Sequence, residues 1–139
     1  MMLIAGYAMT IKPSFAVIDD DQAVRDATTG HLRSLGFIAK GFSSADEFLQ
    51  SNRLLLTSCI IADVRMPGTG GLALYGKLVA AKNPIPTILI TAYPDDALRD
   101  RALNAGIAGF LIKPFSEKDL LNRIEVALKH RVLLSPIGR

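Results

Sequence analysis

Residues 57–71 read Thr57-Ser58-Cys59-Ile60-Ile61-Ala62-Asp63-Val64-Arg65-Met66-Pro67-Gly68-Thr69-Gly70-Gly71. The run from Thr57 to Ala62 is continuous and apolar. A strand with one wet face would alternate, so this one reads as covered on both faces, as in a parallel sheet between helix layers. Asp63 ends it. The turn formers up to Gly71 predict a loop, and the third helix follows from Leu72 to about Lys82, closed by Asn83-Pro84. Working upstream, Ser14 to Ile18 predicts the first strand, closed by Asp19-Asp20-Asp21. A helix follows from about Gln22 to Leu35, with Ala23, Ala27, His31 or Leu32, and Leu35 near helical spacing and Gly36 as its stop. Phe37 to Phe42 is the second strand. Ser43 or Ser44 then caps a short helix to about Leu49 or Gln50, with Glu47 placed for a capping box. Working downstream, Thr87 to Thr91 is the fourth strand, Pro94-Asp95-Asp96 begins a helix that Gly106 stops, and Gly109 to Ile112 is the fifth strand. Ser116 caps the last helix, with Asp119 as its N3 acid and Leu120, Leu121, Ile124, Ala127 and Leu128 as its core stripe.

Five βα units predict an α/β, flavodoxin-like, doubly wound fold: a five-stranded parallel sheet in the order 2-1-3-4-5 with helices on both faces. The 139 residues suit one domain over residues 12–132, with a loose extension over 1–11, a true start at Met1 or Met9, and a tail or linker start over 133–139. A composition 50% hydrophobic and 21% charged excludes a disordered chain, and one cysteine excludes a disulfide scaffold. Cys59 reads as a buried structural thiol, and its being alone suits a reducing cytoplasm. The net charge of +3 comes from scattered basic residues without interleaved aromatics, which argues against direct nucleic-acid contact. No apolar stretch reaches the roughly 18 to 20 residues of a membrane helix, and MMLIAGYAM lacks the basic flank of a signal peptide.

The expected strand order places the chain reversal between strands one and three, and ligands bind there, outside the carboxyl ends of the strands. Strand one delivers Asp19 and Asp20 to that edge, and strand three delivers Asp63. Three carboxylates repel one another unless they share a cation, and oxygen-only ligands with open positions favour Mg²⁺. Strands four and five bring Thr91 and Lys113 to the same edge, a hydroxyl and an ammonium that could hold an anion's oxygens. Each residue alone has a bland reading as a helix cap, a solvated strand end or a surface charge. Gathered at one end of four strands, the five point to phosphoryl transfer.

Over residues 13–132 the sequence resembles the response-regulator receiver domains of two-component signalling, the group that includes the chemotaxis regulators. The resemblance rests on Asp19-Asp20, on Asp63 in Asp63-Val64-Arg65-Met66-Pro67 with Gly71 closing the loop, on Thr91-Ala92, and on Lys113-Pro114-Phe115. It implies that Asp63 accepts a phosphoryl group from a sensor histidine kinase. It implies also that Asp20, Asp63 and the backbone carbonyl of Arg65 bind Mg²⁺, with Asp19 acting through water, and that Thr91 and Lys113 hold the phosphoryl oxygens. Phe110 stands at the family's aromatic switch position, and the Lys113-Pro114 bond would be cis. The Asp-Val-Arg-Met-Pro-Gly and Lys-Pro-Phe combination is most similar to the nitrogen-fixation regulator group, whose receivers usually precede a helix-turn-helix DNA-binding domain. That implies an output in transcription and leaves a stand-alone receiver and a piece of a longer regulator both open. Phosphorylation is then expected to draw in Thr91, rotate Phe110 and change the fourth-helix and fifth-strand surface, where the activated domain forms a homodimer. Leu98, Ala102 and Ala105 are expected to face the core there, and Arg99 and Leu103 to face out. The family assigns no role to the variable Arg65 and Tyr93. Their offsets from Asp63 and Thr91 are expected to place them beside the open face, as a gate on phosphoryl lifetime.

The rival enzyme class is a haloacid-dehalogenase-like phosphatase with Asp19 as nucleophile, since Asp19-Asp20-Asp21 contains Asp-x-Asp after a strand. Such an enzyme needs a further acidic pair after the lysine, and only Glu117, Asp119 and Glu125 follow, all in the last helix. Three acids after the first strand also argue against a flavin phosphate loop. The α/β pattern argues against a helical histidine phosphotransfer module, so His31 and His130 read as ordinary surface or boundary residues. The sequence therefore favours a signalling receiver over a turnover enzyme.

Overall fold

A computed structural model describes residues 12–93 and 95–134. The extension expected over 1–11, the helix opening at Pro94 and residues 135–139 of the expected tail lie outside them. Five strands alternate with five helices: β1 Ser14–Ile18, α1 Gln22–Ser34, β2 Ile38–Phe42, α2 Ala45–Leu49, β3 Cys59–Asp63, α3 Gly71–Ala80, β4 Thr87–Thr91, α4 Asp96–Ala105, β5 Gly109–Ile112 and α5 Glu117–Leu134. The sheet is parallel throughout, in the order β2-β1-β3-β4-β5, the doubly wound arrangement expected from the alternation of runs.

Alternation along the strands divides the core in two, because successive side chains leave a strand on opposite faces. Ala16, Ile18, Ile60, Ala62, Leu89 and Phe110 pack with Phe48, Leu74, Leu78 and Ala102 from α2, α3 and α4. Phe15, Val17, Ile61, Ile88, Ile90 and Leu111 pack with Leu32 of α1 and Leu120, Ile124 and Ala127 of α5. Removing one such buried aliphatic side chain costs about 2–5 kcal/mol, so both layers are needed to hold the strand ends in place.

Several local expectations change. β3 starts at Cys59 rather than Thr57, because Ser58 is used as a bridge: its N–H donates to the Ser14 carbonyl and its Oγ accepts from the Ser14 N–H. A short 3₁₀ turn, Leu54–Leu56, precedes it. In α1 the expected inward alanines, Ala23 and Ala27, are exposed, while Thr29 and Leu32 are buried and Val24, Arg25 and Thr28 are half-buried. Asp21 caps the helix, accepting from the Ala23 and Val24 N–H groups, and the packing of Leu32 with Phe15, Val17 and Ile61 turns the alanines out. Ala105 is also exposed, although Leu98 and Ala102 are buried as expected. The chain leaves α4 through Gly106 at φ 104°, and Ile107 fills the core position beyond it. α5 runs to Leu134. The caps of α2 and α5 are as read: Ser44 accepts from the Glu47 N–H, Glu47 accepts from the Ser43 N–H and hydroxyl, and Ser116 accepts from the Asp119 N–H.

Candidate functional site

β1 and β3 are neighbours in register, Ile18 opposite Ala62, so their carboxyl ends release Asp19 and Asp63 side by side. β4 pairs with the far side of β3 and with β5, placing Thr91 opposite Ile112, the residue before Lys113. The Lys113 N–H donates to the Thr91 carbonyl at 2.8 Å, which ties the last two strand ends together. The Lys113-Pro114 bond is cis, as the resemblance implied.

At this edge Lys113 Nζ stands 3.4 Å from Asp63 Oδ2 and 3.8 Å from Asp19 Oδ2. The other Asp63 oxygen, Oδ1, accepts from the Arg65 N–H at 2.9 Å, turning the loop back over the carboxylate. The loop can close this tightly because Gly71 carries no side chain: a Cβ there would sit 2.8 Å from the Asp63 carbonyl oxygen and 2.6 Å from a Leu89 methyl. Asp19 is buried and its pKa is raised, first by desolvation and also by the neighbouring charge of Asp63; its Oδ1 accepts from the Asp21 N–H and opposes that shift. Asp19, Asp63 and Lys113 border a cavity of about 340 Å³ whose walls also include Val24, Ile90 and Phe115.

Of the three acids expected to share a cation, two converge on Lys113 and the third, Asp20, is exposed beside them. Among the described residues no three His, Cys, Asp or Glu side chains form a metal-holding group. A single ammonium can draw two carboxylates together, and Asp20 has no such partner among the described residues. The donor set at this edge is nevertheless oxygen only, with two acids already converging, and suits a hard cation such as Mg²⁺. Thr91 is buried, and its hydroxyl stays local, accepting from the Tyr93 N–H at 3.0 Å and donating to the Tyr93 carbonyl at 3.3 Å. Tyr93 is 66% exposed, and the Arg65 guanidinium carbon lies 5.5 Å from the centre of its ring. Phe110 is buried against the α4 side of the sheet.

One residue at this edge was not picked out from the sequence. Arg25, from the second turn of α1, donates through Nη1 to the Asp19 carbonyl at 2.7 Å. The hint lay across the sheet, in Gly41 inside β2, since a glycine in a strand interior marks a close approach. A Cβ at Gly41 would meet the Arg25 stem at 2.8 Å.

The response regulator receiver domain model matches residues 15–125. The chain belongs to the response regulator receiver domain family. It is 42% identical to response regulator protein TmoT of Ectopseudomonas mendocina over 81% of this chain and 51% of TmoT. It is 38% identical to transcriptional regulatory protein FixJ of Bradyrhizobium diazoefficiens over 87% of this chain and 59% of FixJ. The chain thus spans about half the length of the curated relatives it matches. Among solved structures, the response regulator StyR superposes with a TM-score of 0.80 at 40% identity, covering 88% of this chain and 62% of StyR. The FixJ-N structure superposes at 0.78 and 30% identity, covering 86% of this chain and 96% of that one. Receiver domains are signalling domains of two-component systems, accept phosphate from sensor kinases and generally depend on Mg²⁺. The phosphatase alternative built on Asp19 loses its ground: Glu117, Asp119 and Glu125 are all exposed on α5, with no acidic pair on a strand after Lys113. No helix among the described residues is long and apolar enough to cross a membrane.

Proposed function

We propose that this receiver takes a phosphoryl group onto Asp63 from the phosphohistidine of a sensor kinase and uses it to switch an output, in transcription by analogy with FixJ. The observation that carries this is the meeting of Asp63 and Asp19 on the Lys113 ammonium at the reversal of the sheet. Of the three acids, Asp63 alone combines that ammonium with Thr91 on the neighbouring strand. Asp63 attacks phosphorus as the phosphorus–nitrogen bond breaks; the electron pair returns to the imidazole, which then takes up a proton. Lys113, and Thr91 once its hydroxyl leaves Tyr93, neutralise the transferred oxygens. Asp20, Asp63 and the Arg65 carbonyl would hold Mg²⁺, with Asp19 through water; the bound ion supplies further charge neutralisation on the phosphoryl oxygens.

Withdrawal of the Thr91 hydroxyl toward the phosphoryl group opens space for Phe110 to rotate. The surface of α4 and β5 then changes and becomes the contact of a homodimer, with Arg99 and Leu103, both exposed, at its centre. The reading places the domain in the cytoplasm, where the kinase presents its phosphohistidine. Incubation with acetyl phosphate and Mg²⁺ tests it: the parent should take up acid-labile, hydroxylamine-sensitive phosphate and sediment as a dimer, and Asp63→Asn should do neither while remaining folded. Equal labelling of the variant would overturn the assignment of Asp63, and a labelled parent that stays monomeric would remove the dimer.

A further inference from the structure

Asp19 and Asp20 share one peptide plane, formed by the Asp19 carbonyl and the Asp20 N–H, so whatever orients that plane orients both acids. On one side the Asp19 N–H donates to the Phe42 carbonyl at 3.1 Å, continuing the β1–β2 ladder one residue past Ile18. On the other side the Asp19 carbonyl accepts from Arg25 Nη1 at 2.7 Å, a short bond to a charged donor. Arg25 is only half-buried, and its stem runs across β2 at Gly41, whose β1 partner is Val17. Any larger residue at position 41 would meet the Cγ and Cδ atoms of Arg25, at 2.8 and 3.0 Å from an added Cβ. Glu47, at the start of α2, is lowered in pKa mainly by its two bonds from Ser43, and the charge of Arg25 lowers it further. The guanidinium is therefore pinned to the Asp19 carbonyl, and Glu47 is near enough for its carboxylate to feel that charge.

We infer that Arg25 is a positioning residue for the phosphoryl-transfer site: its guanidinium on the Asp19 carbonyl, in the space left by Gly41, sets the peptide between the two acids and so aims Asp20 at the cation. Arg25 reaches no substrate atom and acts only through that peptide. Its effect belongs to ion binding first and to the phosphorylation rate second. This inference rests on the proposed function above, because it presumes that the acids gather around Mg²⁺.

Calorimetric titration of the full chain with Mg²⁺, without a phosphodonor, reads the effect directly. Arg25→Ala should weaken Mg²⁺ binding about ten-fold, the lower end of what loss of an outer-shell partner does. Arg25→Lys, which keeps the charge and one donor but not the planar fork, should recover part of the loss. Gly41→Ala keeps the guanidinium and displaces it, so it should reproduce the weakened binding, and Arg25→Ala combined with Gly41→Ala should be no weaker than Arg25→Ala alone. Parental Mg²⁺ affinity in folded Arg25→Ala or in Gly41→Ala would overturn the inference, as would equal and additive losses from both changes. If Arg25→Ala does not fold, Gly41→Ala and Arg25→Lys decide the question by the same titration. The proposed function fails by a different result, labelling of Asp63→Asn.

Discussion

Two of the strand ends at this site hold their polar groups in different ways. At the end of β1, Asp19 is held by its N–H to Phe42, its carbonyl to Arg25 and its carboxylate to the Asp21 N–H, with Lys113 beyond. At the end of β4, the Thr91 hydroxyl is held, among the described residues, by the backbone of Tyr93, two residues on, and the next side chains, Ala92 and Tyr93, are exposed. The bonds to Phe42 and Arg25 come from two other segments and fix Asp19 against displacement. A local turn can be exchanged for a new partner at little cost, since a neutral hydrogen bond contributes only about 0.5–1.5 kcal/mol net. The acid end is preorganised and the hydroxyl end is free to respond, as a domain that must first bind and then switch requires.

The largest expected effect attacks the preset end. Asp20→Asn removes a charge from the proposed ion set without touching a buried contact, so Mg²⁺ affinity measured by titration should fall about ten-fold or more while the melting temperature stays near the parent's. Unchanged affinity would mean that Asp20 is solvated surface and that the comparison rests on Asp19 and Asp63 alone.

A second effect concerns what holding Asp19 in place costs the fold. Its pKa is raised above the ordinary 3.8, with desolvation the largest cause, so the stability tied to this group is fully present below 3.8 and is lost as pH rises through the raised value. Asp19→Asn keeps an acceptor for the Asp21 N–H and removes the buried charge. The variant should melt a few degrees above the parent at neutral pH in the absence of Mg²⁺, and the gain should shrink as pH is lowered through the raised value and be gone below 3.8. A variant that melts lower at pH 7 would show that the Lys113 contact outweighs desolvation.

The smallest effect lies at the responsive end, where the Arg65 guanidinium stacks on Tyr93 and we propose that the pair gates the approach of water to an aspartyl phosphate on Asp63. An exposed cation–π pair contributes about 0.5–1 kcal/mol, so Tyr93→Ala should speed loss of phosphate about three-fold and leave the rate of its arrival nearly unchanged. Decay followed after removal of the phosphodonor measures this, and an unchanged or slower rate would discard the gate.

The limits of β1, β4 and β5 were legible residue for residue, because each is a short apolar run between turn formers and such runs depend on local pattern alone. The meeting of Asp19, Asp63 and Lys113 was legible one step further on: a parallel sheet wound on both faces has its reversal at a predictable place, and strand ends carry their next residue there. What the sequence left undecided are matters of phase and of contact between distant segments. Ala23 and Ala27 have helical spacing, but the packing of Leu32 against the sheet set the rotation of α1 and turned them to solvent. Ala105 has the same spacing after Ala102, yet the exit through Gly106 handed its core position to Ile107. Arg25 looks like any charged residue on a helix; its partner is a backbone carbonyl, which has no sequence signature, and its room is a glycine on another strand. Local pattern determines which segments become strands and which polar residues end them, because those choices depend on neighbours in the chain. Only the tertiary structure decides which side chain fills the space beside a strand end, because the register of β1 on β2 and the rotation of α1 are settled by packing.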